Sequence, residues 1–336
     1  MITETAPAEV RPAKKRLDDN TVRNLGLVGV LAVLVIIGIV TKPELYSDPT
    51  WVRNNILTIL QQASAIGVVT VGMTFVIIGG GIDLSVGAII ALAGVWATTL
   101  STQSYGAGGM IFTALVVGIA VGLVNGVLIS YGRLVPFIAT LAMLVSARGL
   151  AAQISGKQTQ VSANDFINSI ATTKLIGIPL LVWILAAVVA AGWVLLNRTT
   201  FGRRTVAVGG NPEAARLAGI NVKRHTLLLY ALSGLCCGIA AIMLTSQATS
   251  AQAAMANLYE LDAIAAAIIG GTLLSGGRGT IIGALFGVLV FSTITNLFAI
   301  NNLSTEVQNM VKGGIIVAAV LVQQFRYRSL TQLLKR

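Results

Sequence analysis

The sequence predicts an all-α, polytopic membrane protein with about ten transmembrane helices and both termini in the cytoplasm. Three observations predict it. Hydrophobic residues fill 55% of the 336 positions and charged ones 10%, with a mean hydropathy of +0.84, which is far too apolar for an ordinary soluble domain. Apolar segments near the spanning length of about 20 residues recur along the chain. They lie at 25–41, 55–78, 84–104, 110–131, 135–155, 177–197, 226–247, 258–275, 280–300 and 307–325. Lys and Arg fall unevenly between the two sides that these segments define. One side takes five in the tail, Arg133, six between Arg198 and Arg224, Arg278 and four from Arg326 onward; the other takes Lys42, Arg53, Lys157 and Lys174. Basic residues collect in cytoplasmic loops, so the richer side is the cytoplasm.

The order of elements follows from this. Residues 1–24 have no apolar run and read as a cytoplasmic N-terminal tail, unlike a cleaved signal peptide. The transmembrane domain is 25–325, with a cytoplasmic loop at 198–224, and 326–336 form a C-terminal tail. The net charge of +11 belongs to these loops and not to nucleic-acid binding. Several crossings carry small residues four apart, where helix backbones can pack closely: Gly118, Gly122 and Gly126; Gly234 and Gly238; Gly279, Gly283 and Gly287. Cys236 and Cys237 are adjacent in an apolar run, with neither disulfide nor metal-ligand spacing.

The stretch Gly79–Gly87 reads GGGIDLSVG and holds the one charge between Arg53 and Arg133. An intramembrane carboxylate costs about 2.5 to 3.5 kcal/mol on insertion scales and calls for a reason. Gly79, Gly80 and Gly81 are expected to break a helix, and Asp83 to cap the next one, starting at Leu84; Ser85 and Gly87 complete the stretch. The segment Ile268–Gly279, IIGGTLLSGGRG, echoes it. A weak internal repeat and a chance match both remain open.

Within the loop, NPEAARLAGI marks both ends of a short helix. Asn211 can cap, Pro212 suits the first position, Glu213 favours the positive end and Gly219 closes the far end. Two turns are marginal alone, so Ala214, Ala215 and Leu217 are expected to meet a partner surface; a surface helix resting on the protein's own membrane domain is the other reading.

Glu213, Ala214, Ala215 and Gly219 have the EAA-x-x-x-G spacing of the coupling loop in permease subunits of ATP-binding-cassette importers. With GGGIDLSVG, FGRRTVAVGGNPEAARLAGINV and YELDAIAAAIIGGTLLSGGRGTIIG, the chain resembles the ribose-type sugar permeases from about residue 50 to 325. It departs from the wider importer pattern in lacking Leu-Pro after Gly219. The resemblance implies a multi-pass protein of the plasma (inner) membrane that works as a homodimer. It also implies an extracytoplasmic sugar-binding protein that delivers a monosaccharide, a ribose-like pentose or a hexose, and a separate ATPase subunit that drives translocation. The chain itself is expected to carry no cofactor, since Gly156 and Lys157 are followed by Gln158 and Ala151 replaces the first glycine of a phosphate-cradling loop.

Chemistry in the residues themselves is sparse. His225 sits beside Lys223 and Arg224 and is expected to face headgroups, and Ser85 with Asp83 makes a poor catalytic pair, so no catalytic or metal-binding residue is expected. Gln61, Gln62, Asn125 and Thr140 are candidates for the sugar path, since a neutral sugar needs hydrogen-bonding groups without a counter-charge; helix-to-helix bonding is their other reading. Two alternatives stay open. One is a branched-chain amino acid permease of the same superfamily. The other is a proton-coupled secondary carrier using Asp83, Glu260 or Asp262, with Arg148 or Lys312 pairing one of them.

Overall fold

The computed structural model describes residues 19–333, with side chains from 21 to 321, so residues 1–18 of the expected N-terminal tail and 334–336 of the C-terminal one lie outside the described residues. The described chain is mostly helical. It runs through α1 (Asp19–Thr41), α2 (Pro43–Tyr46), α3 (Pro49–Ile78), α4 (Val86–Ala97), α5 (Leu100–Gln103), α6 (Gly106–Ser130) and α7 (Pro136–Ile154). Next come β1 (Gln160–Val161), α8 (Asp165–Ser169), β2 (Lys174–Leu175), β3 (Ile178–Pro179), α9 (Leu180–Arg198), α10 (Thr200–Gly210) and α11 (Pro212–Leu217). The chain then continues with α12 (Val222–Ala248), β4 (Ser250–Ala251), α13 (Tyr259–Ile269), α14 (Ile281–Ile300) and α15 (Thr305–Leu333). The strands form two minimal antiparallel pairs, β1 with β4 and β2 with β3.

A helix stands at each of the ten expected crossings, but their lengths differ. Among the described residues seven helices are long and apolar enough to span a membrane: α1 from Thr21, α3, α6, α7, α9, α12 and α14. The segment 84–104 is instead α4, of 12 residues, followed by the separate turn α5, and 258–275 shrinks to α13, of 11 residues. At 1.5 Å per residue each rises only about 16 to 18 Å, roughly half of a bilayer core. Both short helices adjoin a glycine break, and α4 is buried on nearly every side by its neighbours. Helix α1 begins at Asp19, inside the segment read as the N-terminal tail, and α15 runs past 325 to Leu333.

Close backbone packing holds the centre together. A β-carbon on Gly126 would lie 2.8 Å from Leu227 Cα and one on Gly238 2.6 Å from Ala114 O, while Gly118 and Gly122 abut the carbonyls of Gly234 and Tyr230. These contacts join α6 to α12 with no room for a side chain. On the other flank Gly283 and Gly287 abut the carbonyls of Gly270 and Ala266, joining α14 to α13. Such small-residue seams replace the hydrophobic driving force that lipid does not supply between helices.

Candidate functional site

Helix α3 ends where its sequence turns to glycine. Gly80 has φ +85°, and the amides of Gly79, Gly80 and Gly81 donate back to Phe75, Ile77 and Val76 at 3.0, 2.9 and 2.9 Å. Asp83 then lies fully buried. Its Oδ1 accepts the Ser85 amide at 3.0 Å and the Ser85 hydroxyl at 2.6 Å, and its Oδ2 accepts the Ser233 hydroxyl at 3.0 Å. Asn125 Nδ2 donates to Ser85 Oγ at 2.8 Å, and both Tyr230 and Thr140 donate to Ile82 O, at 3.2 and 3.4 Å.

The expected cap therefore takes a different form. Helix α4 starts at Val86, not Leu84, with Ser85 at the N-cap. Asp83 closes a turn before the helix and ties it to α12, because its second oxygen reaches across to Ser233. Asn125 and Thr140, expected along a sugar path, bind this network from α6 and α7. Gly87 opens space for other charges. A β-carbon there would lie 2.7 Å from Glu260 Oε2 and 3.4 Å from Arg148 Nη2. Arg148 is held by Ala253 O at 2.7 Å.

Three glycine segments meet beside this break. The Gly277 amide donates to Ile78 O at 2.8 Å. A β-carbon on Gly276 would lie 2.7 Å from Gly209 O and 3.0 Å from Gly80 Cα, and one on Gly277 2.9 Å from Gly210 Cα. Gly209 faces Ile78 O so closely that a β-carbon would collide with it. Thus the break after α3, the end of α10 and the loop after α13 pack backbone to backbone. Sequence reading singled out the first and third segments but not Gly209 and Gly210 between them, although a glycine pair closing a helix was the available signal.

Helix α11 follows that pair directly. Asn211 Oδ1 accepts the Ala214 amide at 2.9 Å, Pro212 occupies the first turn and Gly219 has φ +84°. Ala215 is buried against the chain itself, while Ala214 and Leu217 are exposed. On the exposed face Arg216 Nη2 contacts Glu213 Oε1 at 2.6 Å, and this guanidinium holds the Glu213 carboxyl below its ordinary pKa range. His225, expected to face headgroups, instead faces the protein interior. It is buried between α10 and α12, with Nε2 2.9 Å from Thr205 Oγ1 and its ring centroid 4.7 Å from that of Phe201.

At the opposite end of α3 lies a cavity of about 540 Å³, within the range of about 300 to 1,000 Å³ common for small-molecule sites. Gln61 and Gln62 line it, with Thr58, Ser246, Gln247, Ser292 and Thr295. Gln61 Nε2 is anchored to Ala171 O at 3.1 Å. Tyr259 and Phe291 supply aromatic wall, and Asp262 and Lys312 line the cavity as an ion pair at 3.2 Å, with the ammonium 5.2 Å from the Phe291 ring centroid. From Gln61 to Ile78 the helix rises about 26 Å, so one rigid element connects cavity and glycine junction.

Residues 55–320 match the family described as branched-chain amino acid transport system, permease component. The chain is 39% identical over 297 residues to the ribose import permease protein of Escherichia coli K12, covering 87% of this chain and 92% of that protein. It is 40% identical over 321 residues to the ribose import permease protein of Bacillus subtilis 168, covering 94% and 98%. It is also 36% identical over 322 residues to the L-arabinose transporter permease protein of Azospirillum brasilense, covering 96% and 92%. No solved structure is significantly similar to the chain. With its run of apolar helices, its glycine junction and matches across most of its length, the chain belongs to this family of multi-pass membrane permeases.

Proposed function

We propose that this chain is the membrane-spanning subunit of an ATP-binding-cassette importer and passes a monosaccharide inward through the cavity lined by Gln61 and Gln62 and past the glycine junction. The observation that carries the reading is its 36–40% identity, over most of its length, to permeases named for ribose and L-arabinose. The geometry is consistent with it. Exposed Glu213, Ala214 and Leu217 on α11 offer a docking face to a separate ATPase subunit, with Asn211, Pro212 and Gly219 fixing the ends of the helix. An extracytoplasmic binding protein delivers the sugar, and two copies of the chain form the working unit in the inner membrane, with both termini in the cytoplasm. Gln61 and Gln62 serve the path, whereas Asn125 and Thr140 stabilise the helix break.

A branched-chain amino acid is the second reading, favoured by the family's description. The cavity accommodates either cargo: more of its exposed wall is apolar than polar, with amide, hydroxyl and charged groups set into it, so the preference for a sugar rests on the relatives and not on the wall.

Uptake of labelled ribose and labelled leucine by proteoliposomes holding the permease, its ATPase and its binding protein separates the two. Ribose is expected to accumulate with ATP, and leucine not. Replacing Glu213 by Ala and Gly219 by Val together is expected to lower ribose uptake by about tenfold or more, equivalent to about 1.4 kcal/mol of docking energy. Normal uptake in a well-expressed double variant would remove the docking role from α11.

A further inference from the structure

The cavity contains a feature that a neutral cargo does not obviously require: a carboxylate and an ammonium, from two different helices, largely withdrawn from solvent. Asp262 sits in the first turn of α13 and Lys312 on α15, with side chains 16% and 19% exposed. Withdrawing two charges from water is costly and is at best partly offset by their mutual attraction. A pair whose only task was to hold α13 against α15 would be no better than two apolar side chains of the same size. Its position in the cavity wall points to a different use.

The pair has unused bonding capacity. Among the described residues the bond recorded for Asp262 runs from Lys312 Nζ to Oδ2, so Oδ1 remains as an acceptor, and an ammonium has three donors. Beneath Nζ lies the face of Phe291. The ammonium covers that ring, which is itself buried, so the cavity wall presents a strong acceptor and a strong donor together, with a net charge of zero. A sugar offers the matching set: vicinal hydroxyls, one donating to a carboxylate and the other accepting from an ammonium. Bonds to ionised groups are roughly twice as strong as neutral ones. Because the sugar competes with the bond already present between Lys312 and Asp262, the net gain is small. Weak binding suits a path that must release what it admits.

We propose that Asp262 and Lys312 form a sugar-contacting subsite that recognises a vicinal diol, so that the permease itself discriminates between sugars. This rests on the monosaccharide reading above.

The test uses the complete transporter in proteoliposomes with a reporter thiol introduced by Thr295→Cys on the cavity wall. Cys236 and Cys237 are buried and do not compete for a hydrophilic thiol reagent. Ribose and 2-deoxyribose, which lacks one hydroxyl of the diol, are compared for the concentration that halves the labelling rate. In the reporter background ribose is expected to protect about threefold better, in keeping with the small net gain left after the competition with the bond between Lys312 and Asp262. In Asp262→Asn and Lys312→Gln the ratio is expected to fall close to one, and in Asp262→Glu, which keeps the carboxylate, part of the preference returns. A ratio that survives in both neutralised variants overturns the proposal, since a purely bracing pair would change thermal stability and not sugar preference. If ribose neither protects nor is taken up by the unmutated transporter while leucine does both, the monosaccharide reading falls first and the subsite with it. Should either neutral variant fail to assemble, the Asp262→Glu comparison alone decides: a ratio between one and the parent's supports a carboxylate contact, and a ratio equal to the parent's overturns it.

Discussion

Gly209→Ala is expected to abolish ATP-driven uptake, by well over tenfold, while Gly210→Ala one residue later leaves it near normal. The difference is geometric. A methyl group on Gly209 would collide with Ile78 O and lie 2.7 Å from the Gly277 amide nitrogen, whereas one on Gly210 meets nothing within 4 Å. The obstructing atoms are backbone, so no side chain can rotate away. Inserting one methyl into such a contact costs typically 1 to 3 kcal/mol. Relief requires either that α10 move away from both glycine breaks or that the two breaks part and lose the 2.8 Å bond between Gly277 and Ile78. Because α11 follows Gly210 directly, the displacement carries the docking helix with it. The measurement is uptake, and ATP hydrolysis stimulated by the binding protein, each scaled to permease abundance in the membrane. Equal behaviour of the two variants would show that the junction does not link α11 to the path.

This contrast also shows where sequence information stops. The ends of α11 were legible because Asn211, Pro212 and Gly219 act within a few residues of themselves. That Gly79–Gly81 break a helix was legible for the same reason, whereas 258–275 was read as one crossing although α13 stops at Ile269, before Gly270. What these glycines touch was not legible: Gly209 and Ile78 are far apart in the chain, and a glycine without a side chain carries no signature of its neighbour. Helix α4 defeated the hydropathy reading because an apolar run of spanning length does not reveal whether it forms one long helix or a short helix and turns. Asn125 and Thr140 were polar residues in apolar segments, a pattern that a path and a helix-to-helix bond produce equally; Asn125 donates across to Ser85, while Thr140 bonds Pro136 O of its own helix at 2.9 Å and reaches Ile82 O at 3.4 Å. His225 was assigned to headgroups from its basic neighbours, but Thr205 gives it a partner inside. The pairing of Lys312 with Asp262 was one of several that the charges allowed, and only the fold selects it.

Asp83→Asn is expected to retain uptake within a few-fold of the parent, and Asp83→Ala to lose about tenfold or more. In the asparagine variant Oδ1 can keep both bonds from Ser85, at 3.0 and 2.6 Å in the parent. The amide nitrogen then faces Ser233, whose hydroxyl can rotate and accept. What is lost is the added strength of bonds to an ionised group. Alanine removes every acceptor and leaves the Ser85 amide and the Ser233 hydroxyl buried without partners, at about 1 to 3 kcal/mol each. The start of α4 then comes loose from α12, with Gly87, Glu260 and Arg148 one turn away. Uptake per folded permease and thermal unfolding in detergent are expected to fall together in Asp83→Ala, and neither to fall far in Asp83→Asn. A proton relay predicts the reverse order for the asparagine variant: normal stability with no transport, since an amide cannot carry the proton. That result in a well-folded protein would move Asp83 from the architecture of the path to its chemistry.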